Sequence, residues 1–128
     1  MSAADRAGAT VLVVDDESGI TAMLADRLSF AGYRTLVAES AERAMSLVRA
    51  RCPDVILTDL YMPNVDGAEF IRRLRDEGYD VPVIVMSAGI EGEIAAIRAQ
   101  ATAFLEKPFH MNRAVEAVDR ALGIQTES

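Results

Sequence analysis

Three aspartates, a serine and a lysine stand at the ends of apolar runs in this chain. Val11-Leu12-Val13-Val14 runs into Asp15-Asp16, Val55-Ile56-Leu57-Thr58 into Asp59, and Val83-Ile84-Val85-Met86 into Ser87. Lys107, the single lysine, follows Ala103-Phe104-Leu105 and precedes Pro108-Phe109. In an open parallel sheet, groups at the carboxyl ends of strands converge on one crevice. Three carboxylates gathered there repel one another, and at least one pKa rises unless a cation intervenes. Mg²⁺ meets that need, because it takes hard oxygen ligands. Three negative charges are then balanced by two from Mg²⁺ and one from Lys107, leaving a neutral resting site. One carboxylate is free to attack phosphorus and form an acyl phosphate. Mg²⁺, Lys107 and the Ser87 hydroxyl would neutralise the equatorial oxygens during the transfer. The set reads as a phosphoryl-accepting site.

The intervening sequence supplies elements that could hold these groups. Ile20, Met23, Leu24 and Leu28 recur at helical spacing after the first strand, and Ala31-Gly32 stops that helix. Arg34 to Ala38 is a short mixed strand suited to a sheet edge, and Ser40 can cap a helix with Ala41, Ala44, Met45 and Val48 inward. Pro53 breaks that helix before the strand Asp54 to Thr58. Asp66-Gly67-Ala68-Glu69 is a capping-box variant opening a helix with Phe70, Ile71 and Leu74 inward. Gly78 ends it, and Pro82 leads the strand Val83 to Met86. Ile90, Ile94 and Ile97 mark a fourth helix, Ala103 to Glu106 is a fifth strand, and Met111, Val115, Val118 and Leu122 form the stripe of a last helix. Strands alternating with helices imply an α/β fold with right-handed crossovers. The expected architecture is a doubly wound, five-stranded parallel sheet in the order 2-1-3-4-5, flavodoxin-like in class.

Composition narrows the function. A chain of 128 residues is one domain. Its net charge of −7 argues against direct nucleic-acid binding. Cys52 stands alone, so no intramolecular disulfide forms, which fits a reducing compartment. Met1 to Thr10 is polar without an apolar targeting core, and no apolar run is long enough to span a bilayer. The expectation is a cytoplasmic protein without membrane contact.

Val14-Asp15-Asp16, Asp59-Leu60-Tyr61-Met62-Pro63 followed by Asp66-Gly67, Ser87-Ala88, and Lys107-Pro108-Phe109 occur in order, each at the end of a strand. From about Thr10 to Leu122 the chain thereby resembles the receiver domain of two-component response regulators. The resemblance implies a receiver over residues 10–123, with residues 1–9 an N-terminal extension and 124–128 a tail. It implies that Asp59 is the phosphoacceptor, and that Asp15, Asp16, Asp59 and the backbone carbonyl of Tyr61 hold Mg²⁺. Lys107 would pair with the phosphoryl group, Ser87 would turn toward it on activation, and Phe104 would swing inward behind. The Lys107-Pro108 bond is expected to be cis. The implied partners are a histidine kinase or phosphotransfer protein upstream, and a downstream protein target or output domain. A homodimer is among the possible assemblies.

Two positions depart from the pattern. Gln100-Ala101 stands where the family has Gly-Ala, which implies a different helix cap or strain, and the stretch from Ser87 to Lys107 is a residue or two shorter than is common. Phe104 lacks a tyrosine hydroxyl, which favours an inward apolar rotamer even without phosphate. Other function classes fit less well. A phosphohydrolase with an aspartyl nucleophile wants a second acid two residues on, where this chain has Tyr61. A flavodoxin-like cofactor binder wants a Ser-, Thr- and Gly-rich loop after the first strand, where Asp15-Asp16-Glu17 would repel a phosphate. An atypical receiver that binds partners without phosphorylation is the alternative within the same family.

Overall fold

The alternation of apolar runs and amphipathic segments folds into ten elements in a computed structural model that describes residues 6–60 and 67–124. In chain order they are β1 (Thr10–Val14), α1 (Ser18–Ala31), β2 (Arg34–Ala38), α2 (Ala41–Arg51), β3 (Val55–Asp59), α3 (Gly67–Asp76), β4 (Val83–Ser87), α4 (Gly89–Arg98), β5 (Ala103–Glu106) and α5 (Met111–Ala121). All strand pairs are parallel, and the sheet order is β2-β1-β3-β4-β5, as the sequence implied. β1, β3 and β4 are buried along nearly their whole length, because helices cover both faces of the sheet.

Period-two alternation divides the strands between two cores. Leu12, Val14, Ile56, Val83 and Val85 face α2, α3 and α4, whereas Val11, Val13, Leu57, Ile84 and Met86 face α1 and α5. Ser40 accepts a hydrogen bond from the Arg43 N–H and caps α2 as expected. The expected cap Asp66, like Tyr61, lies outside the described residues.

Two helix faces differ from the sequence reading. On α1, Leu24 and Leu28 are buried as the spacing implied, but Met23 is exposed and Thr21 and Ala31 complete the buried face. On α4, Ile90, Ile94 and Ile97 all face solvent at 71 %, 42 % and 68 % exposure, while Gly92, Ala96 and Ala99 meet the sheet. The small residues have helical spacing too. They allow α4 to lie close to β4 and β5, and the isoleucines are turned outward.

The end of α4 resolves the choice posed by Gln100. The usual left-handed cap is kept, with Gln100 at φ +68° and the Ala101 N–H bonded to the Ala96 carbonyl. A side chain in that conformation carries strain. Arg75 offsets it from the end of α3, donating to the Tyr79 and Val81 carbonyls and across to the Gln100 carbonyl at 3.2 Å.

Candidate functional site

Strand register brings the polar ends together. Asp59 is the last residue of β3 and pairs with Met86, Ser87 pairs with Glu106, and the Lys107 N–H donates to the Ser87 carbonyl at 2.8 Å. The Asp15 N–H donates to the Ala38 carbonyl, which holds the first aspartate level with the others at the same edge. α3 starts close against the end of β3 because Gly67 has no side chain. A Cβ there would lie 2.4 Å from the Asp59 carbonyl oxygen and 2.9 Å from Leu60 Cα.

Carboxylate oxygens of Asp15, Asp16 and Asp59 lie within 4.8 Å of one another. Asp16 is exposed, Asp59 is 7 % exposed, and Asp15 is fully buried. Lys107 Nζ stands 3.2 Å from Asp59 Oδ1 and 3.9 Å from Asp15 Oδ2. The Leu60 N–H donates to Asp59 Oδ1, and the Glu17 N–H donates to Asp15 Oδ1. Asp15 Oδ2 has no hydrogen-bond partner among the described residues. Burial, above all, pushes the Asp15 carboxyl up to about 6; the Glu17 N–H opposes this, the Asp59 charge adds to it, and Lys107 opposes it.

A buried carboxylate oxygen without a partner, beside two more carboxylates, suits a hard divalent cation. The oxygen-only donor set also fits Mg²⁺ better than a soft metal.

Ser87 is buried, and its Oγ likewise has no hydrogen-bond partner among the described residues. Phe104 is half-buried against the core shared with α2, α3 and α4. The Lys107-Pro108 bond is cis. Asp15, Asp16, Asp59 and Lys107 are thus brought together, while Tyr61 lies outside the described residues.

The comparisons with known proteins agree with this fold. The family model for the response regulator receiver domain matches residues 11–119. The chain belongs to that family. The receiver is 37 % identical over 101 residues to the response regulator MprA of Mycolicibacterium vanbaalenii, covering 77 % of this chain and 44 % of the relative. It is 41 % identical over 106 residues to the phosphate regulon transcriptional regulatory protein PhoB of Pseudomonas aeruginosa, covering 80 % and 46 %. Among solved structures, the receiver domain of Francisella response regulator 1452 superposes with a TM-score of 0.85 at 29 % identity, over 91 % of this chain and 98 % of that one. The receiver spans less than half the length of these two curated relatives. No described helix is long and apolar enough to cross a membrane.

Sequence reasoning passed over a second polar centre behind the sheet. Asp119, on α5, is fully buried and takes both Arg6 Nε and Arg6 Nη2, at 2.9 and 2.8 Å, as well as the Tyr33 hydroxyl. Arg6, from the segment expected as an extension, also donates to the Ala31 carbonyl and lies over the Tyr33 ring. Gly92 was passed over as well, although a glycine inside a helical pattern is a signal for close packing.

Proposed function

We propose that this receiver accepts a phosphoryl group on Asp59 from a phosphohistidine of a histidine kinase or phosphotransfer protein, in a Mg²⁺-dependent reaction. The observation that carries this reading is Lys107 Nζ, 3.2 Å from Asp59 Oδ1, beside the buried Asp15 Oδ2, which has no hydrogen-bond partner among the described residues. Asp59 Oδ attacks phosphorus, the P–N bond breaks, and its electron pair returns to the donor imidazole. Lys107 holds one equatorial oxygen, and Ser87 turns its hydroxyl toward another. Mg²⁺, held by Asp15, Asp16, Asp59 and the Tyr61 carbonyl, would supply charge neutralisation. The domain's chemistry is confined to its own phosphorylation and dephosphorylation.

The signal leaves through α4, β5 and α5, with Phe104 following Ser87 inward. The exposed isoleucines 90, 94 and 97 give that face an apolar stripe for a downstream protein, an output domain or a second copy of the chain. The net charge of −7 supports protein rather than nucleic-acid partners for this domain, and a cytoplasmic setting suits a kinase-fed module.

Intact mass after incubation with Mg²⁺ and acetyl phosphate tests the reading. Gain of one phosphoryl group is expected, lost with EDTA and in Asp59→Asn. An unchanged mass with both a small donor and a histidine kinase would reject it.

A further inference from the structure

Ser87 and α4 meet at a glycine. Ser87 is 2 % exposed, and its hydroxyl has no hydrogen-bond partner among the described residues. The first turn of α4 lies directly against it. A Cβ on Gly92 would stand 2.6 Å from Ser87 Oγ and 2.9 Å from Ser87 Cβ, both inside van der Waals contact. The next nearest atom, Leu60 Cδ2, would be at an ordinary 3.6 Å. Glycine is a poor helix former, so its place inside α4 calls for a packing reason, and the serine supplies one.

We propose that Gly92 is the positioning residue that couples α4 to the state of Ser87; the proposal rests on the reading of Asp59 as phosphoacceptor and Ser87 as the hydroxyl that turns toward it. With no phosphoryl group present, the hydroxyl occupies the notch left by the missing side chain, and the first turn of α4 seats on it. A buried hydroxyl with no hydrogen-bond partner among the described residues is weakly held there. A phosphoryl oxygen at Asp59 offers the missing acceptor, the hydroxyl leaves the notch, and the seat under Gly92 empties. The rotamer of one serine thereby reaches the helix that carries Ile90, Ile94 and Ile97 at the surface.

Amide NMR of wild type and Gly92→Ala, with Mg²⁺ and with or without the phosphoryl mimic beryllofluoride, tests the coupling. The added methyl makes the resting seat unfavourable. First-turn amides of the variant, before beryllofluoride is added, are expected to lie part-way along the line joining the two wild-type states. Beryllofluoride should half-saturate the variant at a concentration lower by roughly threefold or more. A variant that starts at the wild-type positions and saturates at the same concentration overturns the proposal. So does displacement off that line with weaker binding, which is steric damage alone. A wild-type protein that ignores Mg²⁺ and beryllofluoride overturns the receiver chemistry itself, and the coupling with it. A second measurement needs no variant: the nuclear Overhauser contact between Gly92 Hα and Ser87 Hβ should weaken when beryllofluoride binds wild type. An unchanged contact overturns the proposal.

Discussion

Asp15 and Asp119 are both fully buried aspartates, yet they have opposite surroundings. Asp119 takes two hydrogen bonds from the Arg6 guanidinium and one from the Tyr33 hydroxyl. Asp15 has a backbone N–H on one oxygen and, among the described residues, no hydrogen-bond partner on the other, which Lys107 Nζ approaches to 3.9 Å. A buried carboxylate supplied with donors serves to hold elements together, here the chain before β1, the start of β2 and α5. One left short of donors, with two further carboxylates beside it, is arranged for something that arrives later.

The largest test removes the charged donor of the satisfied aspartate. Arg6→Ala leaves Asp119 buried without its guanidinium and should cost about 3 kcal/mol in urea unfolding. Tyr33→Phe deletes one donor to a charged acceptor and should cost about 2 kcal/mol by the same measurement. Asp15→Asn should act in the opposite direction, raising stability by about 1 kcal/mol at neutral pH in EDTA while abolishing the thermal shift given by Mg²⁺. If it destabilises as Arg6→Ala does, the contrast between the two aspartates fails. Ser87→Ala removes a hydroxyl that has no hydrogen-bond partner among the described residues and should change stability by no more than about 0.5 kcal/mol.

The dependence on pH sharpens the same contrast. In the metal-free protein the Asp15 carboxyl is raised from 3.8 to about 6, so between these values the folded state holds more protons than the unfolded one. The Asp15 contribution is therefore full below about pH 4 and is lost as the pH rises through about 6. Comparing wild type with Asp15→Asn across that range in EDTA isolates it, and a difference independent of pH would contradict the shift. Mg²⁺ affinity should weaken as the pH falls through the same window, since a proton competes for the buried oxygen.

Much of this was legible in the sequence, for identifiable reasons. Asp15, Asp59 and Ser87 each close an apolar run and Lys107 stands just past another, and a parallel sheet with helices on both faces brings such ends together. Asp119 carries no comparable mark. It sits in a helix between Val118 and Arg120, and its donors lie 86 and 113 residues away in sequence, so only the folded chain assembles them. Periodicity located α4 but not its buried side. Gly92, Ala96 and Ala99 repeat at a helical interval as the isoleucines do, and close backbone approach decided between them. Gln100 marked an unusual helix end, while the compensating Arg75 belongs to another helix.

The fastening of Gln100 by Arg75 also makes α4 a lever. Its far end is held through the Gln100 carbonyl, whereas its near end lies closest to Ser87 through a glycine. Eight residues separate Gly92 from Gln100, a span of about 12 Å at 1.5 Å per residue. A rigid tilt of about 5° about the pinned end would carry the first turn through about 1 Å, enough to make or break a packing contact.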